Sequence, residues 1–464
     1  MPRLVGWTRP LAVAGVLAMP CVLAGAAAPL RFVAHTGLKR SEPAKNSRLS
    51  VAPARISLWF TARPQLVLSR IRLTGPSGAI PLGPIVADTG YSLHASIPRT
   101  LGPGDYRVQW QTASADGHPI RGEFTFAVIG QTAEAAVPSA PNESAHASHQ
   151  QAAAAEAPRD HSEYRSARWL EFVALLTVLG VLAFRHGVLP PLAARGVPTA
   201  DAADRARRLG QNVLVVYAIA AVVRLYTESV ALHGAEEALG AGVLMPLLTA
   251  TVWGVGWILG VVGAMLLLIG WLVSKRSVAI GTPLALTGAL GMVLSPALSG
   301  HAAASRHFVL SVTLDMLHVV AAGVWLGGLL MVLVAGVPAM RRLTNGNQDA
   351  AVSALVNSFH PLALFCAPIV VIAGLGTSWT RLGGFGAVWS TEYGRTLLLK
   401  VGLVALVAGM GLYNSLRARR RLGSPEGTRR FRATGAIEIA VAALVVVATT
   451  FLVGTPVPSD MVSP

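Results

Sequence analysis

The sequence predicts a mixed fold, in which an N-terminal all-β domain of the immunoglobulin-like sandwich or barrel kind precedes an all-α polytopic membrane domain of about eight helices. Two observations predict this class. Residues 50–130 contain short alternating apolar runs separated by Gly- and Pro-rich turns, which is typical of β-sandwiches. Residues 166–464 contain eight long apolar runs, most of them near the roughly 20 residues that a membrane helix needs.

The composition also indicates a membrane protein. Of the 464 residues, 53% are hydrophobic and only 13% are charged, which is unlike a soluble domain. The net charge of +16 comes from arginines clustered between apolar runs, as in cytoplasmic membrane loops, so it does not indicate nucleic-acid binding. Cys21 and Cys366 both lie in apolar runs, so the sequence contains neither a disulfide framework nor a Cys-x-x-Cys metal site.

Residues 1–34 are predicted to be an export signal, because two arginines precede an apolar run that ends in a stretch of small residues. Cleavage after Ala26 or Ala28 fits the preference for small side chains best. Cleavage after Ala34 would instead make His35 the first residue of the mature chain.

The β domain is predicted over residues 35–130, and a flexible linker rich in Ala, Ser, Pro, Glu and Gln follows over residues 131–165. Strands are predicted where β-branched and aromatic residues alternate with polar ones. The predicted strands are 56–60, 66–73, 91–97, 106–112 and 123–128.

The membrane domain is predicted over residues 166–464. The predicted spans are 167–184, 211–232, 244–273, 278–299, 308–338, 356–379, 396–415 and 434–454. Arginines and lysines concentrate in the loops after the first, third, fifth and seventh spans. The positive-inside rule therefore places both termini outside the cytoplasm, which agrees with an exported β domain.

A candidate metal site lies in the stretch from Ser114 to Pro119. Asp116 and His118 are two residues apart at the end of an alternating run, so an extended backbone would project both side chains to the same side. One carboxylate oxygen and one imidazole nitrogen make half of a Cu(II) or Zn(II) site. The alternative is a simple turn, in which Asp-Gly reverses the chain.

A second candidate site consists of four polar residues at the start of the fifth span, since ionisable groups at membrane depth are costly and tend to be functional. His301 and His307 precede the span, and Asp315 and His318 share one helix face inside it. Together the four residues are predicted to form a row of metal ligands that leads from the outer surface into the membrane. The alternative is that Asp315 orients or neutralises His318 and the two only pack the bundle.

Two further ionisable residues lie within apolar runs. Arg224 is in the second span and Glu438 is in the eighth. They are expected either to form a buried pair with each other or to extend separately towards the membrane surface.

Several motifs carry a resemblance to the copper-resistance families CopC and CopD. The start of the β domain, HTGLKRSEPA at 35–44, and its end, YRVQW at 106–110 followed by SADGHP at 114–119, are similar to CopC. In the membrane half, SGHAA at 299–303 and the stretch from Leu317 to Leu329 resemble CopD, as does the stretch from Tyr393 to Lys400.

The resemblance to CopC implies a Cu(II) site made by His35, Asp116 and His118. Cu(II) prefers nitrogen and oxygen ligands in a tetragonal arrangement. A chain that starts at His35 would offer both its ring and its α-amine, whereas cleavage after Ala26 or Ala28 would remove the amine from the site. His94, on a predicted strand, is a further candidate ligand, and the alternative is an ordinary surface histidine.

The resemblance to both families implies a copper-binding protein of the bacterial inner membrane, rather than an enzyme, that captures Cu(II) outside and moves copper inward. Copper ions, the lipid bilayer and periplasmic copper-resistance proteins are the implied partners. The predicted path is His301, His307, Asp315 and His318, and it suits either Cu(I) or Cu(II).

Two other functions stay open. The membrane histidines could hold a b-type haem, which would make the protein an electron carrier or a cupric reductase. A membrane-anchored copper sensor is the other alternative, although eight spans exceed what an anchor needs.

Overall fold

The structure, a computed structural model, describes residues 37–61, 63–88, 90–113, 119–129, 155–156, 162–300, 302, 305, 307–343, 347–382 and 384–455. The predicted fold class is confirmed: a β domain is followed by ten helices over the described part of the chain. The chain divides into two compact units. One unit holds the described residues of 33–159 together with 226–255, and the other holds those of 160–225 and 256–464.

The β domain consists of two sheets. The first has the order β1-β3-β7-β6, and the second has the order β10-β9-β8-β4-β5, with β2 pairing in parallel with β9. The strands are β1 Leu38–Glu42, β2 Arg48–Leu49, β3 Arg55–Phe60, β4 Arg70–Gly75, β5 Gly78–Ile80, β6 Ile85–Asp88, β7 Ser92–Ser96, β8 Gly104–Ala113, β9 Pro119–Val128 and β10 Ala155–Glu156.

The alternation that predicted the strands determines which side chains are buried. In β8, Tyr106, Val108 and Trp110 are buried in the core, while Arg107 and Gln109 between them are exposed. This period of two is what a sheet with one covered face requires. Side chains from both sheets form one apolar cluster, which holds the two sheets together.

The prediction of a single strand over 66–73 was wrong. Residues Leu66–Leu68 form a short 3-10 turn, and β4 begins only at Arg70. The Ser69 hydroxyl donates to the Gln65 carbonyl oxygen at 2.7 Å, so a local side-chain bond ends the turn. The short strands β1, β2, β5, β6 and β10 were not predicted, since strands of two to five residues carry little alternation, and β10 lies within the predicted linker 131–165.

The ten helices include eight that are long and apolar enough to cross a membrane. The helices are α1 Ser162–Ala193, α2 Ala200–His233, α3 Ala241–Ala250, α4 Val252–Val273, α5 Val278–Leu298, α6 Phe308–Met340, α7 Gln348–Leu382, α8 Ala387–Ser390, α9 Glu392–Arg421 and α10 Pro425–Gly454. Only α3 and α8 are too short to count among the spans.

The predicted third span, 244–273, is divided into α3 and α4 at Thr251. This residue is extended, with φ −118° and ψ 149°. Its hydroxyl donates to the Leu247 carbonyl at 2.6 Å and accepts from the Gly254 N–H at 2.9 Å. Thr251 therefore caps the start of α4, which hydropathy alone does not reveal because the residues on both sides are apolar.

Helices α1 and α6 pack through glycines. A Cβ atom added at Gly327 would overlap the Leu176 carbonyl oxygen, and one added at Gly180 would overlap the backbone of Gly327. Small residues let the backbones of membrane helices approach closely, as they do here. Gly327 also ends a π-helical segment of α6, Gly323–Gly327, in which the helix turn is widened.

We expect Gly327→Ala to destabilise the bundle. The methyl group would force the two backbones apart, and overpacking of this kind costs about 1–3 kcal/mol. Thermal unfolding of the full chain in detergent measures the effect. The matched control is Gly402→Ala in α9, where an added Cβ meets nothing within 4 Å. An equal melting temperature for the two variants would contradict the close packing.

An ion pair links β4 to the loop between α2 and α3. Arg70 binds Glu237 through two N–H···O contacts, and the one between Nη1 and Oε1 is 3.3 Å long. This hydrogen bonding lowers the pKa of the Glu237 carboxyl, and the positive charge of Arg70 adds to the effect. Any stability from the pair is therefore present above the ordinary glutamate pKa and is lost as the pH falls through the lowered value.

We expect Arg70→Gln to raise the pKa of Glu237 towards that of a free glutamate, because the hydrogen bonds and the positive charge of Arg70 are lost. Titration of the glutamate side-chain carboxyl resonances by NMR in micelles measures this change. Glu236, the neighbouring glutamate, serves as the internal reference. A Glu237 resonance that titrates identically in both proteins would show that Arg70 does not stabilise the carboxylate.

Candidate functional site

The predicted site of the β domain lies at the gaps in the described structure. His35, Asp116 and His118 are all outside the described residues. The nearest described residues are Gly37, Ala113 and Pro119.

The residue nearest to His35 is tied to the loop after β3. The Gly37 N–H donates to the Thr61 hydroxyl at 2.7 Å, and the Thr61 N–H donates back to the Gly37 carbonyl at 2.8 Å. Gly37 is two residues from His35. The first described residue of the β domain is therefore bonded to the Thr61 end of this loop.

The residues next to Asp116 and His118 are tied to the same loop. Strands β8 and β9 pair antiparallel with Ala113 opposite Pro119, and residues 114–118 connect them. The Ala113 carbonyl accepts from the Gln65 N–H at 2.9 Å. Thr61 and Gln65 are only four residues apart, which limits their separation to about 14 Å even in a fully extended chain.

His94 lies on β7 and is largely covered, with 16% of its side chain exposed. Its Nε2 is 3.2 Å from the Ser92 hydroxyl and 4.0 Å from an Asp88 carboxylate oxygen. Its ring also packs edge-to-face on Trp59, with 5.8 Å between the ring centroids. The packing explains why this histidine is half-buried rather than on the open surface.

The start of the predicted membrane path is only partly described. His301 is outside the described residues, and His307 is exposed just before α6. In the described part of the chain, no group of three or more His, Cys, Asp or Glu side chains is placed to hold a metal. His307, Asp315 and His318 are therefore not brought together into one three-ligand site.

Asp315 is engaged by a cation rather than by the histidine on its own face. Its Oδ2 accepts a hydrogen bond from Arg381 Nη2 at 2.7 Å, which joins α6 to the end of α7. The described hydrogen bonds therefore do not join Asp315 to His318, although the two side chains interact electrostatically. Lys400 of α9 lies within electrostatic range of both members of the pair, and Tyr393 hydrogen-bonds Arg381.

His318 is held by the backbone of α7. Its Nδ1 lies 2.9 Å from the Val370 carbonyl oxygen. A carbonyl only accepts, so Nδ1 carries the hydrogen and Nε2 keeps a lone pair. Gly374 makes room for the ring, since a Cβ there would be only 3.1 Å from His318 Cε1. A histidine fixed through one nitrogen by a carbonyl is the usual arrangement of a metal-binding imidazole.

Neither of the two arrangements expected for Arg224 and Glu438 is present, since both side chains are buried and each bonds to another residue. Arg224 Nη1 lies 3.1 Å from Glu171 Oε2 on α1 and donates to the Ser299 hydroxyl at 3.3 Å. Arg168 donates to the Ser299 carbonyl at 3.4 Å. These bonds fix the end of α5, two residues before His301. Glu438 instead accepts from the Asn414 side-chain amide at 2.8 Å.

Sequence analysis did not predict that Arg381 and Lys400 lie close to Asp315. Lys400 lies inside an apolar run, which is itself the signal that marks an intramembrane functional residue. Arg381 lies at the end of α7 and looked like an ordinary loop arginine, so its contact with Asp315 needed the structure.

Three family matches cover both halves of the chain. Residues 38–129 match the CopC domain. Residues 163–308 match the N-terminal domain of Copper resistance protein D-like proteins, and residues 353–452 match Copper resistance protein D. Along the chain, the CopC match precedes the two CopD matches, and the motifs that resemble these families have the same order.

Individual proteins show the same relationship. Copper transport protein CutJ of Bacillus subtilis (strain 168) is 25% identical over 424 residues, which is 89% of this chain and 73% of that protein. Copper resistance protein C of Xanthomonas campestris pv. juglandis is 32% identical over 115 residues, which is 23% of this chain and 90% of that protein. The Escherichia coli protein of the same name is 36% identical over 106 residues, which is 21% of this chain and 82% of that protein. The chain therefore belongs to the copper-resistance family, as a fusion of a CopC domain with CopD membrane domains.

Proposed function

We propose that this protein captures Cu(II) on its β domain and moves copper inward across the bacterial inner membrane. The observation that carries the proposal is the union, in one chain, of a CopC-matching β domain and a CopD-matching bundle of eight apolar spans. A binding protein that only buffered copper would not need eight spans.

The proposed Cu(II) ligands are His35, Asp116 and His118. Their support is the loop from Thr61 to Gln65, which bonds to Gly37 at one end and to Ala113 at the other. His35 is two residues from the first contact and Asp116 is three residues from the second. Segments so close to two neighbouring anchors are within reach of a common metal ion.

The strength of the proposed site depends on signal cleavage. If the mature chain starts at His35, its α-amine joins the ring as a nitrogen ligand, and metal binding displaces the proton from the amine. If cleavage follows Ala26 or Ala28, a peptide nitrogen takes the place of the amine. The proposed boundary of the signal at residue 34 corresponds to the stronger site.

The proposed membrane path runs from His301 and His307 to His318. We place the β domain and both termini outside the cytoplasm, because basic residues concentrate in the loops at the opposite end of the bundle. His318 is the proposed copper ligand within the membrane, since its Nε2 lone pair is left free by the Nδ1 bond to Val370. Asp315, bound to Arg381, has the proposed role of positioning α6 against α7.

We expect His118→Ala to weaken Cu(II) binding by at least about 10-fold, because it removes a direct ligand where even supporting residues contribute 10–100-fold. Copper titration followed by EPR measures the affinity and the number of nitrogen ligands. N-terminal sequencing of the same sample establishes whether the chain starts at His35.

His94→Ala is the matched control for His118→Ala, since His94 belongs to the same domain and packs on Trp59. Its Cu(II) affinity should remain that of the unaltered protein. A His118→Ala protein that binds Cu(II) normally would remove the Asp116–His118 pair from the proposed site.

We expect His318→Ala to reduce copper accumulation to the level of cells that lack the protein, because the substitution removes the proposed ligand at membrane depth. The measurement is cellular copper at matched protein abundance. His186→Ala is the control, since His186 is an exposed residue of α1. Normal accumulation with His318→Ala would exclude this residue from the path, and a haem absorption band in the purified protein would favour the electron-carrier alternative.

A further inference from the structure

The carboxyl group of Glu438 lies in the membrane bundle, away from the proposed copper ligands. Glu438 is on α10 and is only 2% exposed. The side-chain amide of Asn414 donates to its Oε2 at 2.8 Å, and the Trp325 side chain also hydrogen-bonds the carboxyl. Since indole has only an N–H donor, Trp325 donates as well. Two helices, α6 and α9, thus supply the partners of this one group.

The hydrogen bonds around Glu438 are all made by neutral groups. The Thr434 hydroxyl donates to the Asn414 amide oxygen at 2.6 Å, which orients the amide so that its N–H points to Glu438. Among the described residues, Glu438 forms no ion pair, and its hydrogen-bond partners Asn414 and Trp325 are both neutral. An ionised carboxylate here would lack a compensating cation, so a proton is the group that can neutralise it.

Several charged and titratable groups on the helices packed against α10 bind or interact with residues other than Glu438. On α1, Arg168 bonds Ser299 and Glu171 bonds Arg224; on α6, Asp315 bonds Arg381 and His318 bonds Val370; on α7, Asp349 accepts from Thr428 and His360 interacts with Arg419; on α9, Lys400 interacts with Asp315. On α10 itself, Arg430 pairs with Glu426.

Both partners of Glu438 lie in widened helical turns. Trp325 is in the π-helical segment Gly323–Gly327 of α6, and Asn414 begins the π-helical segment Asn414–Ala418 of α9. Such segments occur frequently at functional sites. Gly411 leaves space beside the carboxyl, since a Cβ there would be 3.2 Å from Glu438 Oε1.

Trp325 also relates Glu438 to the proposed copper path. It follows His318 by seven residues, which is two helical turns, so the two side chains share one face of α6 about 10 Å apart. A charge on the copper ion at His318 and a charge on Glu438 would therefore act on each other within a medium of low dielectric constant.

We propose that Glu438 is a proton-binding site whose proton is released when copper occupies the path, so that copper movement is linked to proton movement. This inference rests on the proposed transport function. In the step, the carboxyl O–H bond breaks, the proton leaves to water, and the remaining carboxylate balances part of the charge of the copper ion. No oxidation or reduction is involved.

The experiment uses the full chain reconstituted in phospholipid vesicles, with a copper-responsive dye and a pH-responsive dye inside. Copper entry through the unaltered protein should be accompanied by the movement of about one proton per copper ion, since metal binding displaces protons. Glu438→Gln keeps the size of the side chain but cannot release a proton. It should lose the proton movement and flatten the pH profile of copper uptake.

Glu426→Gln is the matched control, because Glu426 is an exposed glutamate of the same helix. It should keep both the proton movement and the pH profile. Copper uptake by Glu438→Gln with an unchanged pH profile and an unchanged proton count would overturn the inference while leaving the transport function intact. If the unaltered protein takes up no copper, the transport function fails first.

A second measurement tests the inference even if the Glu438→Gln protein does not transport copper. Infrared spectra of the copper-free protein in detergent should contain a carbonyl band of a protonated carboxyl group that is lost in Glu438→Gln and kept in Glu426→Gln. Loss of that band from the unaltered protein on adding copper supports the inference. Identical carboxyl bands in all three proteins would overturn it, whatever their uptake.

Discussion

The ion pair between Asp315 and Arg381 is the constraint on which the proposed copper path depends. It joins α6 to α7 at 2.7 Å, and Lys400 adds a second positive charge near the Asp315 carboxylate. The pair fixes how α6 lies along α7. His318, one helical turn further along the same face, is thereby placed against the Val370 carbonyl. A second ion pair, between Glu171 of α1 and Arg224 of α2, likewise brings opposite charges together inside the bundle.

Most of the fold could be predicted, because hydropathy and alternation report directly which faces are buried. The runs around Tyr106 and Trp110 became the core-facing side of β8, and the eight apolar runs correspond to the eight spans. What escaped prediction depends on single hydrogen bonds. The Thr251 cap divides an apolar run without changing its hydropathy, and the Ser69 bond replaces the start of a strand with a 3-10 turn.

The sequence indicates which polar residues of the membrane domain are unusual, but it does not predict which residues they contact. His318 and Asp315 stood out because polar groups at membrane depth are rare, yet the contact of His318 with Val370 spans 52 residues of sequence. Arg224 and Glu438 were both recognised as unusual, but each bonds to a different residue from the one expected. Such pairings depend on how helices rotate and slide against each other, and periodicity within one helix contains no information about that. The Asp116–His118 pair stays a prediction supported by its flanking strands.

The way α7 holds His318 affects how this part of the protein can change during evolution. The bond from Nδ1 is made to a backbone carbonyl, which nearly every amino acid at position 370 would supply equally well. Position 374, one turn further on, must stay small, because a side chain there would press on the imidazole ring. The orientation of the histidine therefore depends on Gly374 and on the Arg381–Asp315 pair, and not on the identity of the side chain at position 370.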